Sequence, residues 1–376
     1  MLKMWPACGC RGWSRLAIDI FPALVHQVNT GKTLRRWPRK LQSRIASISV
    51  EGRLFLLTCA FFTCTNNWRY GNSMRPKFAK TIAFWFSVAI VSFILPHPAA
   101  AKTVVDQMGR RLTVPDSPKR VVALAPSITE IIFTLKQEQC LKGVTIYSNY
   151  PPQALALPKV GTYTRLDLER IMALDPDLCI AIKDGNPKGA VDRLTELNIP
   201  VYTVNPIDIQ TVATAVMEIG GLLNADQTAR RLVDEMLGRI ERVRSRIANN
   251  TRRPRVFFQI GVAPIVSIGK GTFISELIEL AGGQNVAAGT ATYPRFNREQ
   301  VLALDPEVII ISSMARGASF EQVKAEWGRW PELPAVRNHR IHIVESDLFD
   351  RPTPRLADAL EMLAKLVHPE IFGNSP

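Results

Sequence analysis

Histidine, cysteine and long apolar runs are all scarce in the part of this chain that has the makings of a folded body. Only His339, His342 and His368 follow residue 101. No H-x-x-x-H, G-x-S-x-G or Walker loop occurs, which removes the common zinc, serine-nucleophile and P-loop chemistries. Gly269-Lys270-Gly271 is too little for a phosphate site by itself. A metal receptor would want several histidines and carboxylates, so no catalytic or metal-ligating residue is nominated, no resident cofactor is expected, and an enzyme is not. Four of the six cysteines (Cys8, Cys10, Cys59, Cys64) fall in the first hundred residues, and only Cys140 and Cys179 lie beyond. Those two could pair in an oxidising compartment, although Cys179 sits in an apolar run and reads as a small core filler. The apolar run Ile82–Leu95 has 14 residues, short of the roughly 20 that cross a bilayer.

Positive charge is abundant, but in the wrong place for a nucleic-acid-binding body. The chain carries +14 overall, of which residues 1–101 hold +12 and residues 102–376 only +2. The excess is therefore a property of the leader, and no nucleic-acid partner is expected. Residues 74–101 have the anatomy of a secretory signal peptide. Arg75, Lys77 and Lys80 form the charged start, the apolar run follows, and Ala99-Ala100-Ala101 offers small residues for cleavage near Ala101/Lys102. Residues 1–73 read as an upstream extension with no structural period. Export leaves about 275 residues, enough for two domains.

The body contains one stretch written twice. Residues 162–180 and 292–310 share the frame T-Y-x-R-x-x-x-E-x-x-x-A-L-D-P at an offset of 130. Solenoid repeats run roughly 20–50 residues, so this spacing suits a duplicated lobe. Each copy predicts a loop bearing an aromatic (Tyr163, Tyr293) and a short helix with an acid near its start (Glu169, Glu299), where the helix dipole favours negative charge. Asp175-Pro176 and Asp305-Pro306 end those helices, because the residue before proline avoids the α region. Leu178–Ile182 and Val308–Ile311 follow as continuously apolar strands, the pattern of a parallel strand covered on both faces.

Around these copies the pattern predicts a hairpin over 103–114, a strand at 120–125, and a helix at 128–137 begun by a Ser127/Glu130 capping box. Residues 226–249 predict a helix about 36 Å long at 1.5 Å per residue, capped by Asn224-Ala225-Asp226. Its apolar residues Leu232, Met236, Ile240, Val243 and Ile247 recur at helical spacing. A helix of that length between two like halves reads as the joining element. The segment 347–354 is expected as an irregular polar loop. The resulting organisation is an N-terminal α/β lobe at 102–222, a connecting backbone helix at 223–252, and a C-terminal α/β lobe at 253–376.

Lys119–Glu130 (KRVVALAPSITE), Tyr147–Pro152 (YSNYPP), the two repeat copies and Asp347–Arg355 (DLFDRPTPR) resemble the periplasmic solute-binding proteins of type-II ABC importers. Within that family the likeness runs toward members that carry cobalamin, with siderophore and haem binders as cousins on the same scaffold. The resemblance covers residues 103–373. It implies two similar Rossmann-like lobes joined by one long rigid helix, with a corrinoid held as transported ligand in the cleft between them. It also implies a monomer in the periplasm, serving an ABC permease dimer with its ATPase subunits. Carried over residue by residue, the ligand-binding groups are Tyr147, Tyr163, Tyr293, Asp347 and Arg351. A corrin is a broad apolar disc rimmed with amides, and aromatic walls with a few polar groups suit it. Glu169 and Glu299 match the acids that dock onto arginine pockets of the permease, a two-point charge contact that sets register.

Overall fold

Both copies of the repeat build the same local structure. In the first, helix α2 (Leu168–Ala173) begins at Asp167, whose carboxylate accepts the Arg170 amide, and leads into strand β5 (Leu178–Ile182). In the second, helix α7 (Arg298–Ala303) begins at Asn297 with a reciprocal Asn297–Gln300 capping box and leads into strand β11 (Val308–Ile311). Asp175 and Asp305 have left-handed backbones, φ 46° and 44°, directly before their prolines. An arginine closes each helix: Arg120 donates to the carbonyls of Leu174 and Asp175, and Arg255 to those of Leu304 and Asp305. The same two arginines are held by acids from the far side of the turn. Asp177 accepts the Arg120 amide and Glu307 accepts the Arg255 amide. The duplication therefore extends past the sequence frame into a matched arginine clamp.

The computed structural model describes residues 101–289, 291–312 and 320–373. The chain parts into two compact units, Met1–His97 and Pro98–Pro376, and every described residue belongs to the second. The predicted extension and nearly all of the signal peptide therefore lie outside the described residues. Among those residues, no helix is long and apolar enough to cross a membrane.

The second unit opens with an antiparallel hairpin, β1 (Ala101–Val105) and β2 (Arg111–Pro115), turned through Gly109 at φ 75°. Then β3 (Val121–Ala123), helix α1 (Pro126–Thr134), β4 (Leu141–Val144), the first repeat copy, α3 (Lys188–Glu196) and β6 (Val201–Val204) complete a four-stranded parallel sheet in the order β4-β3-β5-β6. All five residues of β5 are buried, as its unbroken apolar sequence predicts.

Helices α4 (Ile209–Leu222) and α5 (Asp226–Ile247) follow. The second half comprises β7 (Arg255–Gly261), β8 (Ile265–Ser267), α6 (Phe273–Leu280), β9 (Gln284–Asn285), β10 (Arg295–Phe296) and the second copy. After it come α8 (Phe320–Trp327), α9 (Pro334–Arg337), β12 (Ile341–Ile343), α10 (Ser346–Phe349), α11 (Leu356–Val367) and α12 (Pro369–Phe372). Its sheet, among the described residues, runs β10-β8-β7-β11-β12, with β9 beside β7. The central β7, β11 and β12 are parallel, and β8 and β10 turn the edge antiparallel.

Helix α5 joins the two halves physically as well as in sequence. It spans 22 residues, about 33 Å. Ala229, Val233, Met236, Ile240, Val243 and Ile247 are buried along one stripe. They share a single apolar cluster with Val216 and Ile219 of α4 and Leu360 and Leu363 of α11. Each fully buried aliphatic side chain contributes about 1.5–3 kcal/mol, so this stripe ties the helix to both sides. Arg239 adds a forked contact to Glu361 at 2.9 and 2.7 Å and reaches Asp358 at 2.5 Å.

Three expectations need correction. Helix α1 starts at Pro126 after an uncapped Ala125, with Ser127 buried inside the helix. Proline suits the first helical position because its missing N–H would have no partner there, and Glu130 is claimed instead by arginines from the other half. Helix α5 begins at Ala225 without a side-chain cap, and Asn224, at φ 56°, turns its amide to the Asp116 carbonyl. The stretch from 347 is not wholly irregular, since Ser346–Phe349 forms one helical turn. Cys140 and Cys179 are separate buried thiols, pushed by burial up to about 11 and about 12.

Candidate functional site

The loop after β4 delivers Tyr147, and buried hydroxyls fix it. Ser148 meets Thr129 of α1 at 2.9 Å and Thr145 at 3.0 Å. Tyr147 stands edge-on to Tyr163, with ring centroids 6.0 Å apart and an interplanar angle of 63°, a favoured aromatic geometry. Tyr163 rests on the turn after β5. A Cβ built on Gly185, at φ 138°, would come within 3.0 Å of the Tyr163 ring, so only glycine leaves the ring its seat. Asn186 staples this loop to the sheet. Its side-chain amide donates to the carbonyls of Leu124 and Tyr163, both at 2.8 Å, and its oxygen accepts the Ile182 amide at 2.8 Å.

From the other half comes Tyr293, 44% exposed. Its loop is held against the sheet edge by the amides of Ser267 and Gly269, which donate to the carbonyls of Pro294 and Thr292. A side chain at Gly269 would collide with the Ala291 backbone. The Tyr293 hydroxyl donates across the halves to Asp184 at 2.5 Å. Three of the five nominated ligand residues thus sit on loops tied to strand ends, Asp347 lies in the short helix α10, and Arg351 follows it.

Arg351 lies beneath them at 6% exposure. It donates to Glu130 at 2.5 Å, to the Tyr147 carbonyl at 3.0 Å, to Asn149 at 2.6 Å and to Asp347 at 2.5 Å. Asn149 also donates to Asp347 at 2.5 Å, and Arg355 reaches Glu130 at 3.3 Å while lying over the Tyr150 ring. Except for the Arg351–Asp347 pair, these contacts bridge the first half and the second. Burial raises the Glu130 carboxyl, and the two guanidiniums pull the other way.

Asp350 is the neighbour the sequence reading did not single out. Ser312 donates to its carboxyl at 3.1 Å, while burial foremost and the Asp347 charge push its pKa from 3.8 up to about 7. A carboxyl raised on folding binds its proton more tightly in the native state. Its stabilising contribution is full below about pH 4 and is lost as pH rises through about 7. Asp350→Asn is therefore expected to gain stability over the parent at pH 8 and to lose that advantage at pH 4. Denaturant midpoints measured at the two pH values check this.

Glu169 and Glu299 are both exposed, in the first turns of α2 and α7. A hollow of about 550 Å³ beside Glu169 is lined by Ile146, Gly161, Arg165 and Leu166 among others. None of the nominated ligand residues lines it. Among the described residues, no cluster of His, Cys, Asp and Glu could hold a metal ion. Asp184, Asn186, Asn149 and Asp350 were not nominated from the sequence, and Glu130 was expected as a helix cap instead of a partner of Arg351 and Arg355. The one signal that could have found Asp184 and Asn186 is the D-G-N-P turn at the end of β5, which lies where a parallel strand presents its carboxyl end to a crevice.

The comparisons agree with this architecture. A family model described as periplasmic binding protein matches residues 121–348. The chain is 32% identical over 252 residues to the vitamin B12-binding protein of Vibrio parahaemolyticus, covering 66% of this chain and 90% of that one. It is 32% identical over 245 residues to the vitamin B12-binding protein of Salmonella typhi, covering 65% and 88%. Among solved structures, the periplasmic vitamin B12 binding protein of Vibrio cholerae superposes with a TM-score of 0.58 at 31% identity, covering 67% and 98%. A periplasmic heme binding protein of Pseudomonas aeruginosa superposes at 0.62 with 25% identity, covering 68% and 94%. Two α/β halves on one connecting helix, and this span of sequence similarity, place the chain in the periplasmic binding protein family.

Proposed function

We propose that this chain is the substrate-binding protein of an ABC importer, taking cobalamin or a related corrinoid into the cleft between its two lobes. The observation that carries the reading is that the loops bearing the Tyr147–Tyr163 pair in one lobe bond, through Asp184 and Asn149, to Tyr293 and Asp347 of the other, in a chain similar to vitamin B12-binding proteins over nine-tenths of their length. The tyrosine rings supply apolar walls for a flat macrocycle. Asp347 accepts from amides at its rim, and Arg351 acts by holding Asp347 and the Tyr147 carbonyl in place. In this reading the lobes are 102–222 and 253–376 with the helix segment 223–252 between them, and residues 74–101 are the signal peptide removed on export to the periplasm. The test is a titration of residues 102–376 with cyanocobalamin and cobinamide, followed by calorimetry. Absence of heat and of any change in corrin absorbance rejects it.

A haem or ferric siderophore ligand is the second reading, favoured by the likeness to a periplasmic heme binding protein. A retained corrinoid gives a cobalt-type visible band, whereas a ferric siderophore shows a charge-transfer band that iron chelation removes.

Glu169 and Glu299 supply the contact with the permease dimer. Both are exposed at the starts of matching helices, and paired charges set register and encounter rate more than affinity. Glu169→Arg combined with Glu299→Arg is expected to leave corrinoid affinity in solution within about twofold and to lower uptake by cells at least tenfold. Normal uptake by the double variant removes these residues from the docking surface.

A further inference from the structure

Asp184 is exposed on the turn after β5, and among the described residues its side chain caps no helix. Its partner is the Tyr293 hydroxyl, 109 positions along the chain and in the other lobe, at 2.5 Å. This pairing constrains the chemistry of Tyr293. Burial and the Asp184 carboxylate raise the phenol's pKa above its ordinary range, and the charge of Asp350 acts in the same direction. A phenol held this way remains a neutral O–H donor. Ligation of ferric iron by tyrosine requires the phenolate, an anionic oxygen ligand. The same carboxylate places negative charge beside the ring, where acid groups on an incoming chelate meet repulsion. Arg351 offers little relief, because both of its terminal nitrogens already donate to Glu130, Asp347, Asn149 and the Tyr147 carbonyl. An uncharged chelate rimmed with carboxamides meets the opposite situation. Its N–H groups can donate to Asp184, which is an acceptor on both oxygens.

We propose that Asp184 is a specificity-determining residue of the cleft: it holds the Tyr293 hydroxyl as a donor and sets a negative charge beside it, favouring a neutral amide-bearing macrocycle and selecting against a ferric chelate that carries acid groups. The proposal rests on the cleft being the ligand site, as argued above. It also separates the two ligand readings on the same scaffold by a single side chain.

The experiment titrates hemin into the unsubstituted chain, Asp184→Asn, and Asp184→Asn combined with Tyr293→Phe. Removing the charge is expected to raise hemin affinity at least tenfold and to produce a phenolate-to-iron charge-transfer band. The double variant should show neither the band nor the full gain. A gain under tenfold in Asp184→Asn, or a band that survives Tyr293→Phe, overturns the proposal. Cyanocobalamin binding is measured separately on the unsubstituted chain. Its absence rejects the corrinoid reading whatever hemin does, so the two failures are distinguishable. Asp184 is exposed at a turn, and matching circular-dichroism melts for the three proteins establish that the comparison is between folded chains.

Discussion

Arg351→Ala lowers the stability of the folded chain by about 3–5 kcal/mol, the usual cost of stranding one partner of a buried ion pair. Glu130 is 1% exposed and raised by burial, and Arg351 is the closer of its two guanidinium partners. Without Arg351, the carboxylate keeps only Arg355 at 3.3 Å, and Asn149 and the Tyr147 carbonyl each lose a donor. Guanidinium unfolding, read by tryptophan fluorescence, should show the midpoint falling. A loss under 1 kcal/mol means that the pair is solvated in solution. The double variant Glu130→Leu with Arg351→Met provides the control, since replacing a buried pair by apolar groups of similar volume is often close to neutral. Recovery of most of the lost stability identifies the stranded charge as the cause. No recovery points to packing of the Arg351 stem instead.

The second large effect concerns the ligand. Tyr163→Ala combined with Tyr293→Ala is expected to weaken corrinoid binding by about a thousandfold, taking about 2 kcal/mol for each aromatic anchor. The Tyr163 ring is half-buried and the Tyr293 ring 44% exposed, so the fold should survive, and a melt within a few degrees of the parent checks that. Calorimetry with cyanocobalamin gives the affinity. An unchanged value removes the tyrosines from the cleft wall. Tyr293→Phe separates the two functions of that residue, because it keeps the ring and deletes only the bond to Asp184.

The fold was legible wherever a local pattern determined the outcome. The strands at 178–182 and 308–311 fall where unbroken apolar runs began just after proline turns, because a parallel strand covered on both faces has no polar side to confuse the pattern. Helix 226–247 was legible because its apolar stripe alone is long enough to bury. Capping was less legible. Ser127 and Glu130 have the right spacing for a box, yet Glu130 is drawn 221 residues away to Arg351, a contact that no local rule contains. The same limit explains Asp184 and Asn186. A D-G-N-P turn announces a bend, but only the folded chain reveals that its acid faces a tyrosine from the other lobe and that its amide anchors a second loop of its own lobe. Asp350 was invisible for a further reason, since its titration depends on burial and on Asp347, neither of which composition reports.

The paired clamps of Arg120 and Arg255 have a mechanical outcome for the helices they close. Each clamp bolts the far end of a surface helix to the first strand of its own sheet, and the stripe of α5 locks those sheets to a shared spine. Glu169 and Glu299 consequently ride on framework instead of loops. In the docking role proposed for them, each acid is presented by a helix fastened at its far end, so neither has a loose segment to tidy before contact.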